Sequence, residues 1–292
     1  MAYRNTKVYF DGSHYIAIPP RYRPQRRKRA VFKDNETEEK KTAFEKAYKS
    51  TKVKRKNEKI TEIVEELKPH FENEEEATMF VGENIERKKR NLIARRTRLS
   101  RKINLGEWNY FCTFTYDDKK HTEESFKVKL RNCFKKMCQR KEWVYIGVWE
   151  RSPDKNRLHF HGLFSIPEKG MVGKLIEQRD FSTKAHKMQT TMQNTYFNER
   201  FGRSDFKPLD PQGLDDAKAY LMKYIEKSGE RIVCSKNAFT YFYSDILEDD
   251  VICRIGQEDK KLLLYDNFSC FDEGIYVGEV SPEAIKQMRK TN

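Results

Sequence analysis

A chain of 292 residues is long enough for one large domain or two small ones, and 37% hydrophobic content supplies material for a core. Charged residues make up 36% and the net charge is +14, more than solubility asks of a chain this size, which points to a polyanionic partner. No apolar run approaches the ~20 residues that span a bilayer, no apolar leader follows Met1, and the six cysteines contain no C-x-x-C pair. These features predict a reduced cytoplasmic protein with no membrane partner.

The charge is unevenly placed. Residues 244–292 carry 11 acidic against 6 basic side chains, or −5, which leaves +19 for the rest. Composition divides the chain into a basic N-terminal region with charged helices (1–105), a denser, more aromatic domain (106–230) and an acidic β-rich extension (231–292).

In chain order, residues 1–20 read as two short strands around the turn Asp11-Gly12, closed by Pro19-Pro20. A basic run follows from Arg21 to Arg29 (RYRPQRRKR). Glu36 to Lys59 and Glu74 to Ile103 read as long charged helices separated by Pro69, and the second holds another basic run, Arg87 to Lys102 (RKKRNLIARRTRLSRK). Each run reads equally as a phosphate contact or as a solvated helix face or arm.

From Gly106 the pattern changes. Asn109 to Tyr116 (NYFCTFTY) reads as a strand, and Phe126, Leu130, Cys133, Phe134 and Met137 then form one face of a helix. Trp143 to Trp149 is a second strand and Arg157 to Phe164 (RLHFHGLF) a third. Between 167 and 212 the expectation is a short helix around Gly173 to Gln178, with strand-like pieces near Phe181 and Phe206. Leu214 to Lys227 is a helix entered through Asp210-Pro211-Gln212-Gly213 and stopped by Ser228-Gly229. The tail holds β-like runs such as NAFTYFYS and KLLLYDNFSCF. Gly170 to Leu175 (GMVGKL) lacks the spacer and the Ser/Thr of a phosphate loop, which argues against an ATP-driven motor.

Two constellations carry chemistry. Alternation places His159 and His161 on one face of the third strand, where both imidazoles can reach one divalent ion; exposed strand histidines without a metal are the plain alternative. A hairpin through Arg151 to Asn156 brings Glu150 near them, although Glu150 also reads as a strand-end carboxylate beside Arg151. The second constellation is AKAYLMKYIEK on the last helix, where Tyr220 and Tyr224 lie four residues apart with Lys223 and Lys227 on the flank. Amphipathic packing at the core's edge explains such phenols in isolation. A phenol with a pKa near 10 is a poor nucleophile, but a nearby cation favours phenolate and a metal that polarises a phosphate lowers the demand on it.

FCTFTYDD, then WE with a turn and HFH, then YLMKYIEKS together resemble the ordered motifs of the HUH endonucleases that initiate rolling-circle replication. The similarity covers residues 108–230 and is closest to the two-tyrosine initiators of small single-stranded-DNA phages and plasmids. It implies an α+β fold, a ferredoxin-like or RRM-like antiparallel sheet with helices on one face. It also implies His159, His161 and Glu150 as ligands of Mn²⁺ or Mg²⁺, Tyr220 as nucleophile, Lys223 as its helper and Tyr224 as the second tyrosine. The implied reaction is nicking and rejoining of single-stranded DNA at an origin through a 5′-phosphotyrosine, with a host helicase and replication machinery as partners in a bacterial cytoplasm. Rivals are a transposase or relaxase with the same chemistry, and a non-enzymatic RRM-like nucleic-acid binder that stacks bases on Tyr110, Phe111, Phe114 and Tyr116.

Overall fold

The computed structural model describes residues 2–20, 35–51, 55–152, 156–182, 186–227, 232–250 and 266–292. It is an α+β protein with antiparallel sheets and, among the described residues, seven α-helices. The chain divides into two compact units, residues 22–94 and residues 1–21 with 95–292.

The chain opens with a hairpin of β1 (Ala2–Phe10) and β2 (Tyr15–Ile18), paired Phe10↔Tyr15 through Lys7↔Ile18. Asp11 closes the turn by accepting the Ser13 and His14 N–H groups, the local bonding that makes Asp-Gly a turn signal. The basic run at 21–29 lies outside the described residues. Helices α1 (Asn35–Ser50), α2 (Lys56–Leu67) and the first part of α3 (Glu74–Leu105) enclose a small core of Phe44, Ala47, Ile63, Val64, Leu67, Ala77 and Val81. Pro69 sits in the turn between α2 and α3, as expected where a helix must stop.

The central unit runs β3 (Tyr110–Thr115), α4 (Glu123–Lys141), β4 (Val144–Arg151) and β5 (Leu158–Ser165). Thr122 caps α4 by accepting from Ser125 N. The predicted stripe Phe126, Leu130, Cys133, Phe134 and Met137 is buried against Cys112, Phe114, Tyr145, Trp149, Phe160 and Phe164. Gly147 and Gly162 are paired across β4 and β5, and the Phe160 ring fills the gap they leave: a Cβ on Gly147 would meet Phe160 Cζ at 2.4 Å.

Between residues 167 and 212 the structure corrects the sequence reading. Residues expected to form a helix at Gly173 to Gln178 enter β6 (Leu175–Ser182), which pairs with β7 (Lys187–Asn194) from Leu175↔Asn194 to Ser182↔Lys187. The complete ladder outweighs the weak helical preference of Glu and Gln there. Next come α5 (Thr195–Arg200), β8 (Ser204–Pro208) and α6 (Pro211–Lys227). Phe181 and Phe206 are in strands, as read.

The tail supplies β9 (Val233–Cys234), β10 (Tyr241–Leu247), β11 (Ser269–Asp272), β12 (Ile275–Glu279), α7 (Pro282–Gln287) and β13 (Lys290–Thr291). The central sheet has the order β8-β3-β5-β4-β9 and is antiparallel throughout. A second sheet, β12-β11-β10-β1-β2 with β13 on β10, joins the N-terminal hairpin to the C-terminal extension around Val8, Ile16, Phe242, Ile246 and Phe268. The KLLLY part of the tail lies outside the described residues. No helix among the described residues is long and apolar enough to cross a membrane.

Candidate active site

The register of the central sheet decides which side chains meet. Glu150 pairs with His159 and Val148 with His161 across β4 and β5, while Thr115 pairs with His159 and Thr113 with His161 across β3 and β5. Residues directly opposite in an antiparallel ladder share a face. Glu150 therefore stands with both histidines, on the face of Ile146 and Val148 that alternation assigns it.

The two threonines orient the imidazoles. Thr115 Oγ1 is 2.7 Å from His159 Nδ1 and Thr113 Oγ1 is 3.0 Å from His161 Nδ1. Nδ1 being occupied in each ring, Nε2 is the atom available to a ligand. His161 Nε2 lies 3.1 Å from Glu150 Oε2, with each side chain only 13% exposed. Burial first, and then the neighbouring His161, pull the His159 pKa down to about 4, so this ring is neutral at physiological pH and keeps its lone pair.

Helix α4 packs on the opposite face of the sheet; α6 crosses the histidine face. Asp210 holds the start of α6 by accepting Gly213 N–H at 2.6 Å, and Lys218 ties its middle to Asn104 at 2.7 Å. Ala217 and Leu221 are buried. This seating aims Tyr220 at the site: its hydroxyl donates to Glu150 Oε2 at 2.6 Å. Its ring stands edge-on to His161 at 5.4 Å and to Phe111 at 5.6 Å, and Phe111 stacks on His161 at 6.3 Å. Lys223, on the same helix, is exposed. Tyr224 is in α6, but its side chain, like those of Ile225 and Lys227, lies outside the described residues.

The residues suit a divalent ion in kind, two imidazoles and a carboxylate. Glu150 Oε2 and His161 Nε2 are also spaced as two ligands of one ion at roughly 2.0–2.2 Å each would be. Among the described residues, however, no group of three or more His, Cys, Asp or Glu side chains stands close enough together to hold one. His159 is aligned with the pair and not joined to it.

Three site residues escaped the sequence reading: Thr113, Thr115 and Phe111. Their signal is the spacing T-x-T in a strand that runs antiparallel to H-x-H, which has meaning only once the two strands are put in register. The aromatics of β3 are not a base-stacking platform, since Phe114 is 1% exposed beneath α4 and Tyr110 and Tyr116 pack against the same core.

A β-sheet that presents an imidazole pair, a carboxylate and a helix-borne phenol on one face matches, in sequence, a class of replication proteins. Residues 109–229, spanning β3 to α6 and every site residue above, match the family model of the replication-associated protein ORF2. The match is consistent with a rolling-circle replication initiator. Comparison with curated proteins and with solved structures returned no match.

Proposed function

We propose that the chain nicks and rejoins single-stranded DNA at a replication origin, with Tyr220 as the nucleophile. The observation that carries this reading is the 2.6 Å hydrogen bond from the Tyr220 hydroxyl to Glu150, within a site that also holds His161. A phenol is a weak nucleophile while protonated, and a carboxylate already accepting its hydrogen bond is placed to take the proton. As Tyr220 Oη bonds to the scissile phosphorus, the P–O3′ bond breaks. The phenolic proton passes to Glu150, and the departing 3′ oxygen takes one from solvent. The products are a 5′-phosphotyrosine and a free 3′ hydroxyl, which serves host replication machinery as a primer.

Rejoining is the reverse: a 3′ hydroxyl attacks the phosphotyrosine and Tyr220 recovers its proton. One phosphodiester replaces another, so no ATP is needed. A divalent ion held by His159, His161 and Glu150 supplies Lewis-acid polarisation of the phosphate; imidazole with carboxylate suits Mn²⁺, and cellular supply favours Mg²⁺. A carboxylate has about four lone-pair sites, so Glu150 can ligate and still accept from Tyr220. Tyr224 provides the second phenol for a later cut, and the Lys223 ammonium offers counter-charge to the phosphate. The family match favours replication over transposition or mobilisation, which share this chemistry.

The test is to incubate the chain with single-stranded DNA from its own replicon, with and without Mn²⁺, and run a denaturing gel. A covalent adduct that needs the ion and disappears in Tyr220→Phe is the expected result. Strand scission with no adduct would overturn the reading.

A further inference from the structure

On the face of the central sheet away from the histidines, a cavity of about 740 Å³ opens between α4 and the segment that follows β9. Arg131, Lys135 and Lys236 line it together with the amides of Asn132, Gln139 and Asn237, and no carboxylate does. All three cations are exposed. Among the described residues, none of Lys129, Arg131, Lys135, Lys136, Arg140 and Lys141 forms a salt bridge; only Lys127 pairs, with Glu123. Attraction to the helix C-terminus accounts for Arg140 and Lys141 in the last turn, but not for the cations along the middle of α4.

We infer that this groove is a second DNA-binding site, which holds single-stranded DNA by its phosphates while another segment occupies the Tyr220 site; the choice of DNA as the polyanion rests on the function proposed above. Arg131 and Lys135, one turn apart on α4, and Lys236 across the groove supply cations on both sides of a strand. A cavity of this volume falls within the roughly 300–1,000 Å³ of clefts that enclose small ligands, so it admits a short run of nucleotides and not a duplex. Asn237 shows why bases as well as phosphates fit. Its Nδ2 donates to Trp143 O at 3.2 Å, which fixes the orientation of the amide and leaves a buried Oδ1 with no partner. Phosphate oxygens only accept hydrogen bonds; the amino group of an unpaired base satisfies such a carbonyl.

The test uses the full chain and a mixed-sequence single-stranded oligonucleotide, followed by fluorescence anisotropy across a salt series. Substituting Arg131→Gln, Lys135→Gln and Lys236→Gln together is expected to weaken binding at least tenfold. It should also flatten the slope of log K against log salt by about 2, at roughly 0.7 for each phosphate the chain no longer neutralises. The matched triple on the other flank of α4, Lys129→Gln, Lys136→Gln and Arg140→Gln, is expected to change the slope less. Equal losses in the two triples, an unchanged slope, or a loss confined to duplex DNA would overturn the groove. Adduct formation by the wild-type chain, run in parallel, reports on nicking separately. No adduct with a groove-dependent slope refutes nicking and supports the groove, while an adduct with no change in slope refutes the groove alone.

Discussion

Tyr220, Glu150 and His161 make one connected unit: the phenol donates to the carboxylate oxygen that also meets the imidazole. Removing a member should therefore do more than delete a contact. Glu150→Gln keeps the shape and loses the proton acceptor, so adduct formation should slow by about 10²–10⁴ while DNA binding holds, which single-turnover gels would show. Thr115→Val frees His159 Nδ1, and loss of such an orienting partner typically costs about 10–100-fold in metal affinity. A Mn²⁺ titration of activity should shift by that amount, and an unshifted curve would mean the hydroxyl does not orient the ring. Tyr224 is argued from spacing alone: Tyr224→Phe should still nick but terminate or rejoin poorly, and mass spectrometry of the peptide left on DNA should find Tyr220. An adduct confined to Tyr224 would reverse the roles. The histidines and tyrosines were legible because alternation and four-residue spacing are local. The threonine partners and the phenol–carboxylate bond were not, since they depend on residues 44 and 70 positions apart in the chain coming together.

At the scale of elements, the stripe on α4 was readable to the residue, because a 3.6-residue period writes the buried face directly into the sequence. The β6–β7 ladder was not, since a two-stranded ribbon with polar residues on both faces carries no clean alternation. The glycine pair of β4 and β5 was equally silent, although it sets how closely the hairpin bearing Glu150 and His159 can pack. Adding a methyl group at Gly147 would drive into the Phe160 ring and also to 2.5 Å from His161 O. Gly147→Ala should accordingly destabilise by about 1–3 kcal/mol. Because His161 would be displaced with its strand, adduct formation should fall even below the melting transition. Retention of full activity at wild-type stability would show that the strands can absorb the methyl group.

For the whole molecule, the basic charge divides into cations that build the fold and cations left for a partner, a division the sequence run 87–102 does not show. Arg87 and Lys88 approach Glu45, the Arg101 guanidinium lies 4.2 Å from the Tyr9 ring centre, and Lys102 bonds Ala238 O and Asn292. Lys89, Arg90 and Arg98 are exposed. The N-terminal hairpin pairs with β10, so truncating the first hundred residues would strip strands from a sheet and mix folding with binding. Point substitutions separate the two. Lys89→Gln, Arg90→Gln and Arg98→Gln together should leave the melting transition almost unmoved, as surface changes within about 0.5 kcal/mol do, and reduce the salt slope by up to roughly 0.7 for each phosphate they neutralise on a single strand. Lys102→Gln should do the opposite, lowering the melting temperature by breaking the tie to Ala238 and leaving the slope nearly unchanged. If the exposed triple changes neither quantity, α3 is a solvated face and the phosphate contacts lie elsewhere on the chain.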